Sequence, residues 1–258
     1  FTSLSSILNT NGYETERSLI MHPEVREKLK QFDLLPKKLW PKRFSHRDWL
    51  CNDNINEMLH SILNHEKLKQ SNKPEFWFID YNCRNDENIS DIVKNTVESL
   101  EAAGYTKDNT ILMISSDHGY PDPNRGITPE TLRQNKLTHD VFMSDDNIMI
   151  PLTIRYPGCI PGTKVHNTMS TLDLMPTILD LIGIEVADTV KKNFHGISLV
   201  PLINGSRDAK FSDRKIRTDA RWIDQPGRLT AIRGDKYKYI FHHDDSYEEF
   251  VYIGDNDN

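Results

Sequence analysis

The feature that most constrains this chain is an apolar run, Ile111-Leu112-Met113-Ile114, that stops abruptly at Ser115-Ser116 and continues as Asp117-His118-Gly119. The run is short and β-branched, so it reads as a buried strand over 110–116. Two segments before it fit the same scheme. "EFWFIDYN", residues 75–82, is a strand candidate. Ile89, Ile92, Val93, Val97 and Leu100 recur at helical spacing, and Gly104 follows as a stop signal. Strand 75–82, helix 89–103 and strand 110–116 form a β-α-β unit, which predicts a parallel, right-handed crossover in a sheet covered on both faces. In such a sheet ligands bind beyond the carboxyl ends of the strands. Asp117 and His118 stand there, where an acid and an imidazole can bind a metal ion together, and Gly119 lets the backbone turn away from them.

The rest of the chain extends this α/β pattern. Residues 3–9 have helical spacing, with Leu4, Ile7 and Leu8 on one face. Residues 16–73 are polar, interrupted by Pro23, Pro36 and Pro41, with helices expected near 22–32 and 53–66. Residues 119–135 read as an irregular loop. "IMIPLTIRY", residues 148–156, is another buried strand closed by Pro157-Gly158. Pro176 and Gly183 bracket a short helix with Leu172, Met175, Leu179 and Ile182 on its buried face. Beyond residue 207 the texture changes: "KIRTDARWI", "RLTAIRG" and "YKYIFHH" are short strands separated by turns. The expected organisation is an α/β domain over 1–206, mostly parallel sheet flanked by helices, and a small antiparallel subdomain over 207–258.

A formal net charge of −6 argues against a general binder of nucleic acid or anionic membrane. No apolar run approaches the ~18–20 residues of a membrane span. Cys51, Cys83 and Cys159 have neither metal-ligand spacing nor an even count, and read as buried or free thiols. Asn88-Ile-Ser and Asn204-Gly-Ser are glycosylation sequons of a kind that arises often by chance. A chain opening on Phe1 without a signal-peptide pattern fits a processed or truncated product. Exported and cytoplasmic locations both stay open.

Several stretches, in order, carry a resemblance. "DNTILMISSDHG" is followed by Thr138-His139-Asp140, "SDDNIMIPLTIRYPG" (144–158), "MSTLDLMPTILDLIGI" (169–184), "HGISLVPLINGS" (195–206) and "LTAIRGDKYKYIF" (229–241). Together they resemble the sulfatases of the alkaline-phosphatase superfamily, from about residue 74 to 245. "SLSSILNTNGYET", residues 3–15, is similar to the helix and Gly-Tyr turn that follow the nucleophile region in that family. Residues 16–73 depart from it.

The resemblance implies an alkaline-phosphatase-like fold and metal-dependent hydrolysis of a small-molecule or carbohydrate sulfate ester. It makes Asp117 a ligand of a divalent cation, calcium being the expected ion, with His118 beside it. It gives His139 and Lys136 the sulfate oxygens and the leaving group. A breaking ester bond gathers negative charge on its bridging oxygen, and a fixed cation or proton donor there lowers the barrier. Asp145, Asp146 and Asn147 read as solvated turn caps, Asp173 and Thr177 as helix caps, His195 as part of a packing loop, and His242 and His243 as exposed. The family nucleophile is a formylglycine made from a Cys/Ser-x-Pro-x-Arg run. No cysteine here stands in that context, so the nucleophile and the paired acids of the family's first strand are expected upstream of Phe1. The chain alone is therefore expected to bind metal weakly and to turn over nothing. A phosphodiesterase or phosphonate hydrolase of the same superfamily is the alternative, and a non-catalytic binding protein of this fold is the other.

Overall fold

A computed structural model describes residues 4–20, 73–81, 89–122, 124, 131, 134, 139, 142–206, 208–220 and 228–254. The expected helices at 22–32 and 53–66, and Cys51 and Cys83, lie outside the described residues. The chain divides into two compact units, Phe1–Thr110 and Ile111–Asn258.

In the first unit, helix α1 (Leu4–Thr10) buries Ile7 and Leu8 and turns through Gly12, whose φ of 88° suits a residue without Cβ. Strand β1 (Glu14–Ile20) then pairs in parallel with β2 (Glu75–Tyr81), in the register Glu14↔Glu75 to Ile20↔Tyr81. Helix α2 (Ile89–Ala102) ends where Tyr105 N–H returns to the Leu100 carbonyl at 2.9 Å. Its apolar stripe of Ile92, Val93, Val97 and Leu100 is half-buried, whereas Ile89, expected on that stripe, is 61% exposed. Tyr105 and β2 are joined by polar contacts. The Glu75 carboxylate accepts from the Tyr105 hydroxyl at 2.6 Å and from Trp77 Nε1 at 3.0 Å. Burial first, then the bond to Glu75, pushes the Tyr105 phenol well above its ordinary range.

The second unit opens with β3 (Leu112–Ser115), which pairs with β4 (Leu152–Arg155). Between them lies a single-turn helix, α3 (Asp145–Ile148). The β3–β4 pair is antiparallel, Leu112↔Arg155 to Ser115↔Leu152. Among the described residues the parallel pairing is β1–β2, where a mostly parallel sheet over 1–206 was expected. Hydrophobic periodicity marks a strand but carries no information on its direction. The strand expected over 148–156 is likewise shorter, because its first residue closes α3 and Pro151 has no N–H to give a ladder.

Helix α4 (Leu174–Leu181) is entered through a capping box: Ser170 N–H donates to Asp173 at 2.8 Å and Leu172 N–H donates to the Ser170 hydroxyl. Asp173 is wholly buried and also accepts from Ile197 N–H and, bidentately, from Arg214 at 2.6 and 2.7 Å. Buried Thr177 donates to the Asp173 carbonyl and accepts from Leu199 N–H. Leu172, expected to be buried, is 55% exposed. Short helices α5 (Asp188–Lys191) and α6 (Val200–Ile203) follow, and Leu199, Leu202 and Phe211 pack as one core cluster. Among the described residues no helix is long and apolar enough to cross a membrane.

The last part of the unit is a four-stranded antiparallel sheet in the order β5 (Ile216–Ala220), β6 (Leu229–Arg233), β7 (Tyr237–His242), β8 (Tyr247–Tyr252), as its short alternating runs predict. Its inner face presents Leu229, Ala231 and Ile240, which close on Met143 and Ile148 at either end of α3. That contact fixes α3 against the sheet.

Candidate active site

Asp117 and His118 follow β3 directly, so the strand end positions both. The Asp117 side chain is 84% exposed. Its Oδ1 accepts from His118 N–H at 2.9 Å, and its Oδ2 lies 3.6 Å from His118 Nε2. His118 Nδ1 lies 2.6 Å from the Gly119 carbonyl oxygen. A carbonyl only accepts, so Nδ1 carries the hydrogen and the Nε2 lone pair points elsewhere. Two donors at ~2.3 Å from one hard cation and at right angles to each other stand about 3.3 Å apart. The separation of Asp117 Oδ2 from His118 Nε2 is close to that bite, so the pair fits two neighbouring positions of one divalent ion. Among the described residues no group of three or more His, Cys, Asp or Glu side chains is arranged to hold a metal ion.

His139 comes from the far side of the 119–135 stretch. Its ring stacks on His118 with centroids 3.4 Å apart and planes 15° apart, and Tyr120 lies at 6.4 Å. The structure thus brings Asp117, His118 and His139 together. Lys136 and Asp140 lie outside the described residues. His195 is exposed, and Asn204 of the second sequon is exposed as well.

What holds the two loops in place is α3, which the sequence reading assigned to solvated turn caps. Gly119 N–H donates to the Asn147 carbonyl at 2.7 Å and Tyr120 N–H to the Asp146 carbonyl at 3.0 Å. A Cβ on Gly119 would collide with that Asp146 carbonyl, so glycine is required here for close backbone approach. Asp122 N–H donates to the Asp146 carboxylate. Asn147 is 5% exposed, and its Nδ2 donates to the carbonyls of His139 (2.9 Å) and Phe142 (2.8 Å).

Asp145 is the third polar residue of α3, and it faces the sheet. Lys238 Nζ donates to its Oδ1 at 2.6 Å, and Arg233 Nη2 and Nε reach its Oδ2 at 3.2 and 3.3 Å. Burial alone would raise the Asp145 carboxyl. The bonds from Lys238 and then Arg233 outweigh it and hold the group below the usual carboxylate range. A signal for this was present in the sequence. Period-two alternation puts Arg233 in phase with Leu229 and Ala231, and Lys238 in phase with Ile240. Each is a charge at an inward position, which demands a counter-charge. His242 and His243 are half-buried rather than exposed, bonded to Glu249 at 2.6 Å and to Thr230 at 2.9 Å.

The sulfatase family model matches residues 79–184, and that of the N-sulphoglucosamine sulphohydrolase C-terminal region matches 136–257. The chain is 30% identical over 156 residues to the choline-sulfatase of Rhizobium meliloti, covering 60% of this chain and 27% of that protein. It is 28% identical over 172 residues to a Delta 4,5-hexuronate-2-O-sulfatase of Bacteroides thetaiotaomicron, covering 63% and 33%. Human N-acetylglucosamine-6-sulfatase is 31% identical over 118 residues, covering 46% and 19%. Among solved structures, a 2-O GAG sulfatase shares the fold at a TM-score of 0.62 and 17% identity, covering 97% of this chain and 67% of that one. The lipoteichoic acid synthase LtaP from Listeria monocytogenes does so at 0.53 and 15%, covering 96% and 67%.

The fold is that of the sulfatases and their alkaline-phosphatase-like kin. Over residues 79–257 the chain belongs to the sulfatase family. It spans about a fifth to a third of the length of these curated relatives.

Proposed function

We propose that the protein hydrolyses sulfate esters with a divalent cation, calcium by the oxygen-rich character of its first ligand. The observation that carries the reading is the meeting of Asp117, His118 and His139 at the end of β3, within a sulfatase-family sequence. Asp117 Oδ2 and His118 Nε2 would hold the cation, which when bound neutralises charge on the ester oxygens. His118 is kept in the right tautomer by its bond to the Gly119 carbonyl. His139 stands beside that pair, where an imidazole can contact a sulfate oxygen or give a proton to the departing alkoxide. Lys136 would add a fixed positive charge to the same oxyanion. A Cys/Ser-x-Pro-x-Arg run does not occur in these 258 residues, so a formylglycine nucleophile would come from outside them.

The substrate class is a small-molecule or carbohydrate sulfate ester. A phosphodiesterase is the second reading, because a tetrahedral phosphate oxyanion calls for similar cations, and the fold is shared by a lipoteichoic acid synthase. The test is an assay of the full-length protein on 4-nitrophenyl sulfate and on bis(4-nitrophenyl) phosphate. Faster turnover of the sulfate is expected. A preference for the phosphodiester would move the assignment to the second reading.

A further inference from the structure

We propose that Asp145 is a positioning residue of this site, and that the Asp145–Lys238–Arg233 ion cluster makes the C-terminal sheet part of the catalytic apparatus. The inference rests on the assignment of His118 and His139 to the site, and goes beyond it by naming what sets their relative position.

Three consecutive residues divide the work. Asp145 is tied outward to the sheet by Lys238 and Arg233, whose side chains are 5% and 9% exposed. Asp146 and Asn147 are tied to the two loops, through Tyr120 N–H, Asp122 N–H, Gly119 N–H and the His139 carbonyl. Met143, which precedes Asp145 in sequence, and Ile148, which follows it, pack in one cluster with Leu229, Ala231 and Ile240. A one-turn helix has little stability of its own. Its orientation is therefore set by what it is bolted to, and Asp145 carries its ion pairs to the sheet.

Rotation of α3 about its axis would move the Asn147 side chain and the Asn147 carbonyl together. The first carries His139 and the second carries Gly119, next to His118. The stack of the two imidazoles is thus the quantity that the ion cluster controls. Uncharged neighbours cannot substitute for it: two nearly buried cations face Asp145 from adjacent strands, and removing the carboxylate leaves them to repel each other and reorganise.

The experiment uses the 258-residue chain and needs no catalysis for its main readout. Imidazole C–H resonances of His118 and His139 are assigned by NMR in the wild type, in Asp145→Asn, in Asp145→Glu and in Leu202→Ala. The last is a control that loses stability in the other core cluster of the same unit. In the wild type both histidines are expected to show the mutual ring-current shift of stacked rings. Asp145→Asn is expected to abolish that shift, Asp145→Glu to restore part of it, and Leu202→Ala to leave it intact. In the full-length protein Asp145→Asn is expected to lower kcat about 100-fold, the scale that a ~1 Å misplacement produces, at nearly constant KM. Lys238→Gln, which removes the cation bonded to Asp145, provides the same reading if Asp145→Asn does not fold. A folded Asp145→Asn or Lys238→Gln chain with unchanged His118 and His139 resonances would overturn the proposal. Loss of the shift without any sulfatase activity in the wild type would leave the positioning role standing and defeat the functional reading alone.

Discussion

The imidazoles of His118 and His139 lie face to face, 3.4 Å between centroids and 15° between planes, although one precedes and the other follows the 119–135 stretch. His118 has its Nδ1–H committed to the Gly119 carbonyl. In the proposed site the two rings take different tasks: His118 holds the cation with Asp117, and His139 serves the leaving group.

That division predicts the effect of removing His139. In the full-length protein, His139→Ala is expected to lower kcat on an aryl sulfate by roughly 100- to 10,000-fold, the usual contribution of a positioned acid or base. The loss should be smaller on substrates with more acidic leaving alcohols, because these need less protonation. A set of substituted phenyl sulfates checks it. Equal losses across the series would remove His139 from the leaving-group role.

Calcium affinity follows from the donor count. Asp117 and His118 supply two donors, while tight calcium sites gather six or more oxygens. Calorimetric titration of the 258-residue chain is expected to give binding weaker than about 10 µM, the weak end of sensor-grade sites. Asp117→Ala should abolish what binding remains. Tight binding that survives Asp117→Ala would place the ion elsewhere.

Gly119→Ala tests the close approach of the DHG turn to α3. The added Cβ meets the Asp146 carbonyl, a backbone atom that cannot swing aside. Overpacking of this kind costs about 1–3 kcal/mol, and the upper end is expected here because backbone must shift. Urea unfolding monitored by fluorescence measures it. A change below ~0.5 kcal/mol would mean that the turn relaxes freely.

Asp173 offers a larger effect. It is fully buried and bonded to Ser170 N–H, Ile197 N–H and both terminal nitrogens of Arg214. Asp173→Asn leaves the Arg214 guanidinium without its counter-charge, and a loss of about 3–5 kcal/mol is expected on breaking such a pair. Adding Arg214→Met to that variant should recover part of the loss, since a lone buried charge is the main penalty. A double variant no more stable than Asp173→Asn would contradict this.

Asp145 gives a pH dependence whose sign is fixed. Its carboxyl is held below its ordinary value in the folded state, so the folded state binds the proton less readily than the unfolded chain does. Its contribution to stability is fully present above the unfolded carboxylate value of about 4 and is lost as pH falls through the folded value. The difference in unfolding free energy between the wild type and Asp145→Asn should therefore shrink as pH is lowered from about 7 to about 3. A difference that stayed constant over that range would show that the carboxylate is not stabilised by Lys238 and Arg233.

The sequence by itself determined the elements. Alternating apolar positions in "RLTAIRG" and "YKYIFHH" became β6 and β7, Pro176 and Gly183 bracketed α4, and the apolar run before Asp117 became β3, because burial of one face is written in local spacing. It also marked Asp117, His118 and His139 as chemistry-bearing residues. Tertiary structure alone decided their partners. The antiparallel pairing of β3 with β4 depends on which edge the chain returns to, and spacing does not record that. Asn147 joins the two stacked histidines, its side-chain amide donating to the His139 carbonyl and its backbone carbonyl accepting from Gly119 N–H, and Asp145 looked like a solvated cap until Lys238 and Arg233, almost a hundred residues later, were folded against it. A carboxylate beside a turn and a carboxylate inside an ion cluster are the same letter in a sequence. Only the approach of the two inward-facing cations on β6 and β7 makes this one a strut of the site.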